Sequence, residues 1–146
     1  LDHYTPAHFA AALQDPLDRV LVAEHQMGIT GYIRLTHNRP SPAKTASQTE
    51  ISTLYVQPRH HGGGTGQRLL TAGLTLCQQN AWDAPWLTTN SENAPAIRFY
   101  LRNGFERVGV THFTINGETY PNDIFQFCDH LPANATTTNA LQNYRS

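Results

Sequence analysis

The spacing of hydrophobic residues changes between residues 50 and 80 of the chain. Residues 50–56 (E-I-S-T-L-Y-V) are rich in β-branched and aromatic side chains and end before Pro58, as is typical of a β-strand. Residues 67–80 instead follow a helical repeat, which places small and apolar side chains on one stripe: Leu69, Leu70, Gly73, Leu74 and Cys77. The pattern therefore predicts a strand, a connecting loop and an amphipathic helix.

The connecting loop contains Gly62, Gly63, Gly64 and Gly66. The first N–H groups of a helix have no intrahelical partner, and glycines let an anion approach the backbone closely. The loop is therefore predicted to bind a phosphate group. It lacks the Lys and hydroxyl residue of a Walker loop, and Gln67 or Leu69 stands where a dinucleotide-binding loop has its third glycine.

Shorter patterns predict the elements on either side. Thr5-Pro6 is typical of a helix start, and residues 20–25 and 29–35 predict two strands that are joined by a turn at Met27-Gly28. Residues 38–48 predict a polar loop.

The last predicted elements are two strands, residues 106–115 and 118–128, joined by Asn116-Gly117. Asn-Gly is the strongest short signal of a type I′ hairpin, whereas Pro121 predicts a break or bulge in the second strand. We expect a single domain over residues 1–131 and a flexible polar tail over residues 132–146.

Composition excludes several classes of function. The 146 residues have a net charge of -1 and only 14% charged residues, and no basic stripe indicates nucleic-acid binding. No apolar run approaches the ~20 residues that cross a membrane, and no signal peptide is visible. Cys77 and Cys128 lie in apolar patterns, so we expect buried free thiols and a cytoplasmic protein. The eight histidines show no metal-ligand spacing, so no metal site is expected.

Two motifs resemble those of the GNAT superfamily, the acetyl-CoA-dependent N-acetyltransferases. The loop matches Q/R-x-x-G-x-G/A with Gly64 and Gly66, although His61 stands where the family carries Gln or Arg. Residues 86–105 resemble the second motif, a strand followed by N-x-x-A-x-x-F-Y-x-x-x-G-F. Its matched positions are Asn93, Ala96, Phe99, Tyr100, Gly104 and Phe105.

The resemblance implies an α/β (α+β) fold, with a mixed, mostly antiparallel central sheet flanked by helices. The strand and helix with which family members begin have no counterpart in the sequence, so we expect them to be missing. Loss of an edge strand would expose the edge of the sheet, which favours a homodimer.

The resemblance also implies acetyl-CoA as a cosubstrate. In the family the glycine loop holds the diphosphate, and the end of the preceding strand pairs with the pantetheine arm. Carried over to this chain, the cofactor-binding residues are Leu54, Tyr55, Val56, His61, Gly62, Gly63, Gly64, Thr65, Gly66, Gln67 and Asn93.

Tyr100 and Glu50 are the candidate catalytic residues. A phenol with a pKa near 10 stays protonated at neutral pH and can protonate a departing thiolate; the alternative is that Tyr100 is a core residue that packs against the sheet. Glu50 occupies the register of the base in the histone-acetylating branch, with an exposed strand-end glutamate as the alternative. Asn93 could serve only as a helix N-cap.

These residues predict an N-acetyltransferase in which a primary amine attacks acetyl-CoA directly. The E-I-x-x-L-Y-V run and the last hairpin resemble the small-amine branch, which includes polyamine acetyltransferases. The expected partner is a small-molecule amine or a peptide. The alternatives are a non-catalytic acetyl-CoA-binding regulatory module and a protein N-terminal or lysine acetyltransferase.

Overall fold

The structure, a computed structural model, describes residues 3–5, 17–26 and 28–128. Seven strands form one sheet in the order β1-β2-β3-β4-β5-β7-β6, and only the β4–β5 pair is parallel. The strands are β1 (His3–Thr5), β2 (Asp18–His25), β3 (Gly28–His37), β4 (Thr49–Val56), β5 (Trp86–Asn90), β6 (Phe105–Ile115) and β7 (Glu118–Phe127). The helices are α1 (Thr65–Gln79) and α2 (Ala94–Arg102), and a 3-10 turn spans Pro58–His60. The predicted fold class is confirmed.

Helix α1 packs on the sheet through the predicted stripe, all of which is buried. One residue of this stripe, Gly73, has no space for a side chain. A Cβ at that position would lie 2.8 Å from Cδ1 of Ile33. Apolar residues of the sheet and of α1 form one core, with Ile33, Leu35, Leu69 and Phe125 almost fully buried. None of the described helices is long and apolar enough to cross a membrane.

The expectation of a missing first strand is corrected by β1, which pairs antiparallel with Val22, Ala23 and Glu24 of β2. The homodimer was predicted because this edge of the sheet was expected to be exposed. The short strand β1 covers part of the edge, so the homodimer stays a prediction with less support. The helix predicted after Thr5 and the tail at residues 132–146 lie outside the described residues.

The last hairpin turns as predicted, with φ values of 52° at Asn116 and 80° at Gly117. The predicted break at Pro121 is wrong, because β7 continues through it opposite His112, and the irregularity lies in β6 between Arg107 and Gly109. Pro121 is tolerated because it precedes the segment that β5 pairs with, residues 122–126. At that point β7 has a strand neighbour on one side only.

Candidate active site

Strands β4 and β5 pair only at Glu50 and Trp86 and then separate, which opens a cleft in the sheet. The backbone of β4 faces this cleft at alternate residues. Gln57 N–H donates to Thr30 C=O at 2.8 Å, so the next pair along the ladder, Gly31 and Val56, is a non-hydrogen-bonded pair. The N–H and C=O groups of Val56, and by the same alternation those of Leu54, therefore point away from β3 towards the cleft.

The glycine loop lies at the end of β4 and leads into α1. Gly64 is the N-cap of the helix and has a φ of 83°, a left-handed conformation that side chains with a Cβ rarely adopt. The first turn of α1 contains no acidic residue. The Arg68 guanidinium lies on the loop, where Nη1 donates to Gly63 C=O at 3.4 Å. A helix N-terminus with a nearby cation suits an anion.

A cavity of about 590 Å³ joins the loop, the end of β4 and the start of α2. Of the predicted cofactor-binding residues, nine line it: Leu54, Tyr55, Val56, His61, Gly62, Gly64, Gly66, Gln67 and Asn93. Tyr100 lines it as well. Gly63, Thr65 and Glu50 do not belong to the lining. The structure thus brings together most of the residues that the two motifs predicted.

The cavity also has a wall that the sequence reading did not assign. Phe99 lies at the place where the start of α1 meets the end of β4. A Cβ built on Gly66 would lie 3.6 Å from the Phe99 ring and 3.7 Å from the Val56 side chain. Arg102, in the last turn of α2, adds a cation to the lining. The signal was helical spacing, since Ala96, Phe99 and Arg102 recur every three residues from the Asn93 cap.

The His61 side chain forms a hydrogen bond with strand β4. Its Nε2 lies 2.8 Å from Val56 C=O. Because a carbonyl only accepts hydrogen bonds, Nε2 must carry the proton of this contact. One of the cleft-facing groups of β4 is therefore bonded to a side chain of the loop.

Asn93 caps helix α2, with its side-chain oxygen accepting from Ala96 N–H at 3.2 Å. The capping role expected as the alternative is thus present. It uses only the oxygen, so the amide NH₂ of this cavity-lining side chain remains as a donor.

Tyr100 packs among aromatic rings and reaches the cavity from α2. Its ring centroid lies 5.3 Å from that of Phe99, 5.5 Å from Phe105 and 6.2 Å from Phe125. Burial raises the pKa of Tyr100 to about 12, because the phenolate would lose its hydration. The side chain is therefore both a core residue and a neutral phenol at the cavity.

Glu50 lies on the other face of the sheet from α1, owing to a β-bulge. Arg34 pairs with Thr53 and Leu35 with Ile51, which leaves Ser52 as an extra residue in β4. Ile51 therefore joins Leu54 and Val56 on the core side, and Glu50 points away. Its carboxylate accepts from Arg39 Nη1 at 3.1 Å, and its side chain is 16% exposed.

Comparison with known proteins agrees with this geometry. Residues 1–105 match the model of the acetyltransferase (GNAT) family. An uncharacterized N-acetyltransferase of Mycobacterium tuberculosis is 34% identical over 119 residues, which cover 80% of this chain and 70% of that protein. A mycothiol acetyltransferase of Salinispora tropica is 39% identical over 72 residues, which cover 49% of this chain but only 22% of that protein.

Among solved structures, a GNAT family acetyltransferase from Elizabethkingia anophelis with acetyl-CoA bound superposes with a TM-score of 0.63. The match covers 87% of this chain and 96% of that one at 13% sequence identity. At such low identity, the likeness shows the fold alone.

Proposed function

The chain belongs to the acetyltransferase (GNAT) family, and on that premise we propose that it moves the acetyl group of acetyl-CoA to a primary amine by direct attack. One observation carries the proposal: β4 and β5 part after a single pair, and the cleft between them ends at a glycine loop that opens a helix. A cofactor with a diphosphate and a long amide-containing arm fits both features.

The loop at residues 62–67 would hold the diphosphate through helix N–H groups, with Arg68 adding positive charge. The arm would then run along β4 as an added strand and bond to the backbone of Val56 and Leu54. This path leads from the loop towards Glu50 and Trp86, where the two strands meet. The thioester would therefore lie on the closed side of the cleft.

The protein must stabilise the carbonyl oxygen, protonate the leaving thiolate and accept a proton from the amine. The amine lone pair attacks the thioester carbon, a C–N bond forms, the C–S bond breaks and the thiolate leaves with the electron pair. Leu54 N–H faces the cleft and would stabilise the charge that develops on the carbonyl oxygen. The neutral Tyr100 phenol would protonate the thiolate.

Glu50 would accept the proton that the attacking amine loses. Four residues of extended strand, about 13 Å, separate its Cα from that of Leu54, so the proton would travel through water. The same carboxylate is held by Arg39, which fixes its position at the closed end of the cleft.

A small-molecule amine is the acceptor that we propose. The small-amine resemblance supports it, as does the name of the mycothiol acetyltransferase that shares part of the chain. A protein N-terminus or lysine is the second candidate. Thiol release measured across polyamines, amino sugars and short peptides separates the two candidates. If the protein binds CoA but none of these acceptors gives thiol release, the enzymatic proposal is contradicted.

Cofactor binding is tested by calorimetry on a Gly64→Val protein. Valine is strained at a φ of 83°, and its Cβ would lie 3.2 Å from the Arg68 guanidinium, so the loop N–H groups must move. We expect the acetyl-CoA Kd to rise at least tenfold, about 1.4 kcal/mol.

Gly117→Val is the matched control for this variant. Gly117 has a φ of 80°, so valine is strained there in the same way, but it lies in the turn between β6 and β7 and does not belong to the cavity lining. Its Kd should stay near that of the parent. An unchanged Kd in a folded Gly64→Val protein would refute diphosphate binding at this loop.

A further inference from the structure

The hydrogen bond from His61 to Val56 occupies a group that the proposed cofactor arm needs. Four backbone groups of β4 face the cleft, namely the N–H and C=O of Leu54 and of Val56. Of these, the Val56 carbonyl accepts from His61 Nε2 at 2.8 Å. An added strand bonds to its neighbour through alternating donors and acceptors, so it would use the same carbonyl.

The His61 ring can leave this position without disturbing the loop. His61 is exposed, and its backbone is fixed independently, because its N–H donates to Pro58 C=O at 3.1 Å as the cap of the 3-10 turn. Rotation about the side-chain bonds therefore moves the ring alone. Rotamer exchange of exposed side chains is fast compared with ligand binding.

We propose that His61 is a displaceable hydrogen-bond donor, which satisfies the Val56 carbonyl in the free protein and is displaced when the pantetheine arm binds. This inference rests on the proposed function. His61 thereby lowers the affinity for the arm, and it does so without touching the reacting atoms. Its role is to set the affinity for the arm.

The contact is independent of the ring's protonation state. The neutral Nε2–H tautomer and the imidazolium both carry a proton on Nε2, so both can donate to the carbonyl. Either form of the ring should consequently compete for the Val56 carbonyl.

The test compares two ligands on parent and His61→Ala proteins by calorimetry. CoA contains the pantetheine arm, whereas adenosine 3′,5′-bisphosphate lacks it. Removal of the competing donor should tighten CoA binding about two- to tenfold, the range for one net hydrogen bond, and leave bisphosphate binding unchanged. His60→Ala is the matched control, because His60 lines the same cavity but its ring packs against His25 at 5.8 Å. That variant should not raise the affinity for CoA relative to the bisphosphate.

A second measurement needs no substitution. The ring nitrogens of His61, followed by ¹⁵N NMR in the parent, should shift when CoA is added and stay unchanged when the bisphosphate is added. Unchanged CoA affinity in His61→Ala, or unshifted ring nitrogens in the CoA complex, would overturn this inference but not the proposed function.

Weaker binding of both ligands by His61→Ala would also overturn the inference, since it would make His61 a residue that preorganises the loop or contacts the 5′-phosphate that both ligands carry. Failure of the parent to bind CoA would overturn the proposed function together with this inference. The two failures are therefore distinguishable.

Discussion

Replacement of Tyr100 by Phe removes the hydroxyl of the proposed general acid and keeps the ring. The ring contacts with Phe99, Phe105 and Phe125 do not involve the hydroxyl. Within the described residues, the phenol also has no hydrogen-bond partner that the substitution would leave unpaired. We therefore expect the variant to fold with a melting temperature near that of the parent and to bind CoA with similar affinity.

The rate of acetyl transfer should fall by roughly 10²–10⁴, the usual loss for one general acid, which corresponds to about 3–5 kcal/mol in the activation free energy. The pKa of Tyr100 gives the pH dependence. Burial raises it to about 12, above the value of 10 for an exposed phenol, so the acid stays protonated up to strongly alkaline pH. The sequence alone placed this pKa near 10. With the raised value, the loss in Tyr100→Phe should be the same at every pH between 7 and 10.

The assay is single-turnover thiol release from acetyl-CoA with the best acceptor of the panel. Single turnover isolates the chemical step from product release. Tyr120→Phe is the matched control, because this exposed tyrosine on the last hairpin loses a hydroxyl that donates to Glu118 at 2.7 Å. It should turn over like the parent. A Tyr100→Phe protein with the parent's rate would show that Tyr100 is a packing residue and that another group protonates the thiolate.

Three further outcomes follow from the geometry. Glu50→Gln keeps a side chain of the same size opposite Arg39 but removes the base, so transfer should slow by roughly 10²–10⁴; a parent-like rate would contradict the role. Arg102→Met should raise the KM for acetyl-CoA severalfold, since it removes a cation from the cavity lining; unchanged KM would exclude a cofactor contact. Burial raises the pKa of Cys77 from its ordinary value of 9.0 to about 12, so the free energy of unfolding should be unaffected by this thiol below about pH 9 and should fall between pH 9 and 12. Urea unfolding at pH 10.5 should show about 2 kcal/mol of alkaline destabilisation that is absent from Cys77→Ala; equal losses in both proteins would contradict this origin.

The elements that the sequence predicted well are those whose signals are local. The α1 stripe repeats within a few residues, and all of its predicted members are buried. The Asn116-Gly117 turn is specified by two residues that tolerate positive φ. The glycine loop and the Asn93 cap are likewise specified by a short stretch of chain, which is why most of the predicted lining residues meet in one cavity.

The features that the sequence did not predict depend on partners distant in the chain. The bulge at Ser52 is defined by the register of β3 against β4, and nothing in residues 50–56 marks it. Strict alternation would have placed Glu50 on the same face as Leu54 and Val56, whereas the bulge turns it to the other face. The tolerance of Pro121 similarly depends on where β5 stops pairing with β7.

The single parallel pair explains why two motifs that are separated in sequence meet at one cavity. Because β4 and β5 run in the same direction, their carboxyl ends lie at the same edge of the sheet. Helix α1 begins after β4 and α2 begins after β5, so the amino ends of both helices lie at that edge too. Gly66 in the first turn of α1 and the Asn93 cap of α2 accordingly line the same cavity. An antiparallel β4–β5 pair would have sent the second helix start to the opposite edge. Parallel pairing therefore brings the amino ends of both helices to one cavity, and they differ there. At α2 the Ala94 and Ala96 N–H groups already donate to Glu92 C=O and Asn93 Oδ1, so the glycine loop before α1 is the end better suited to a diphosphate.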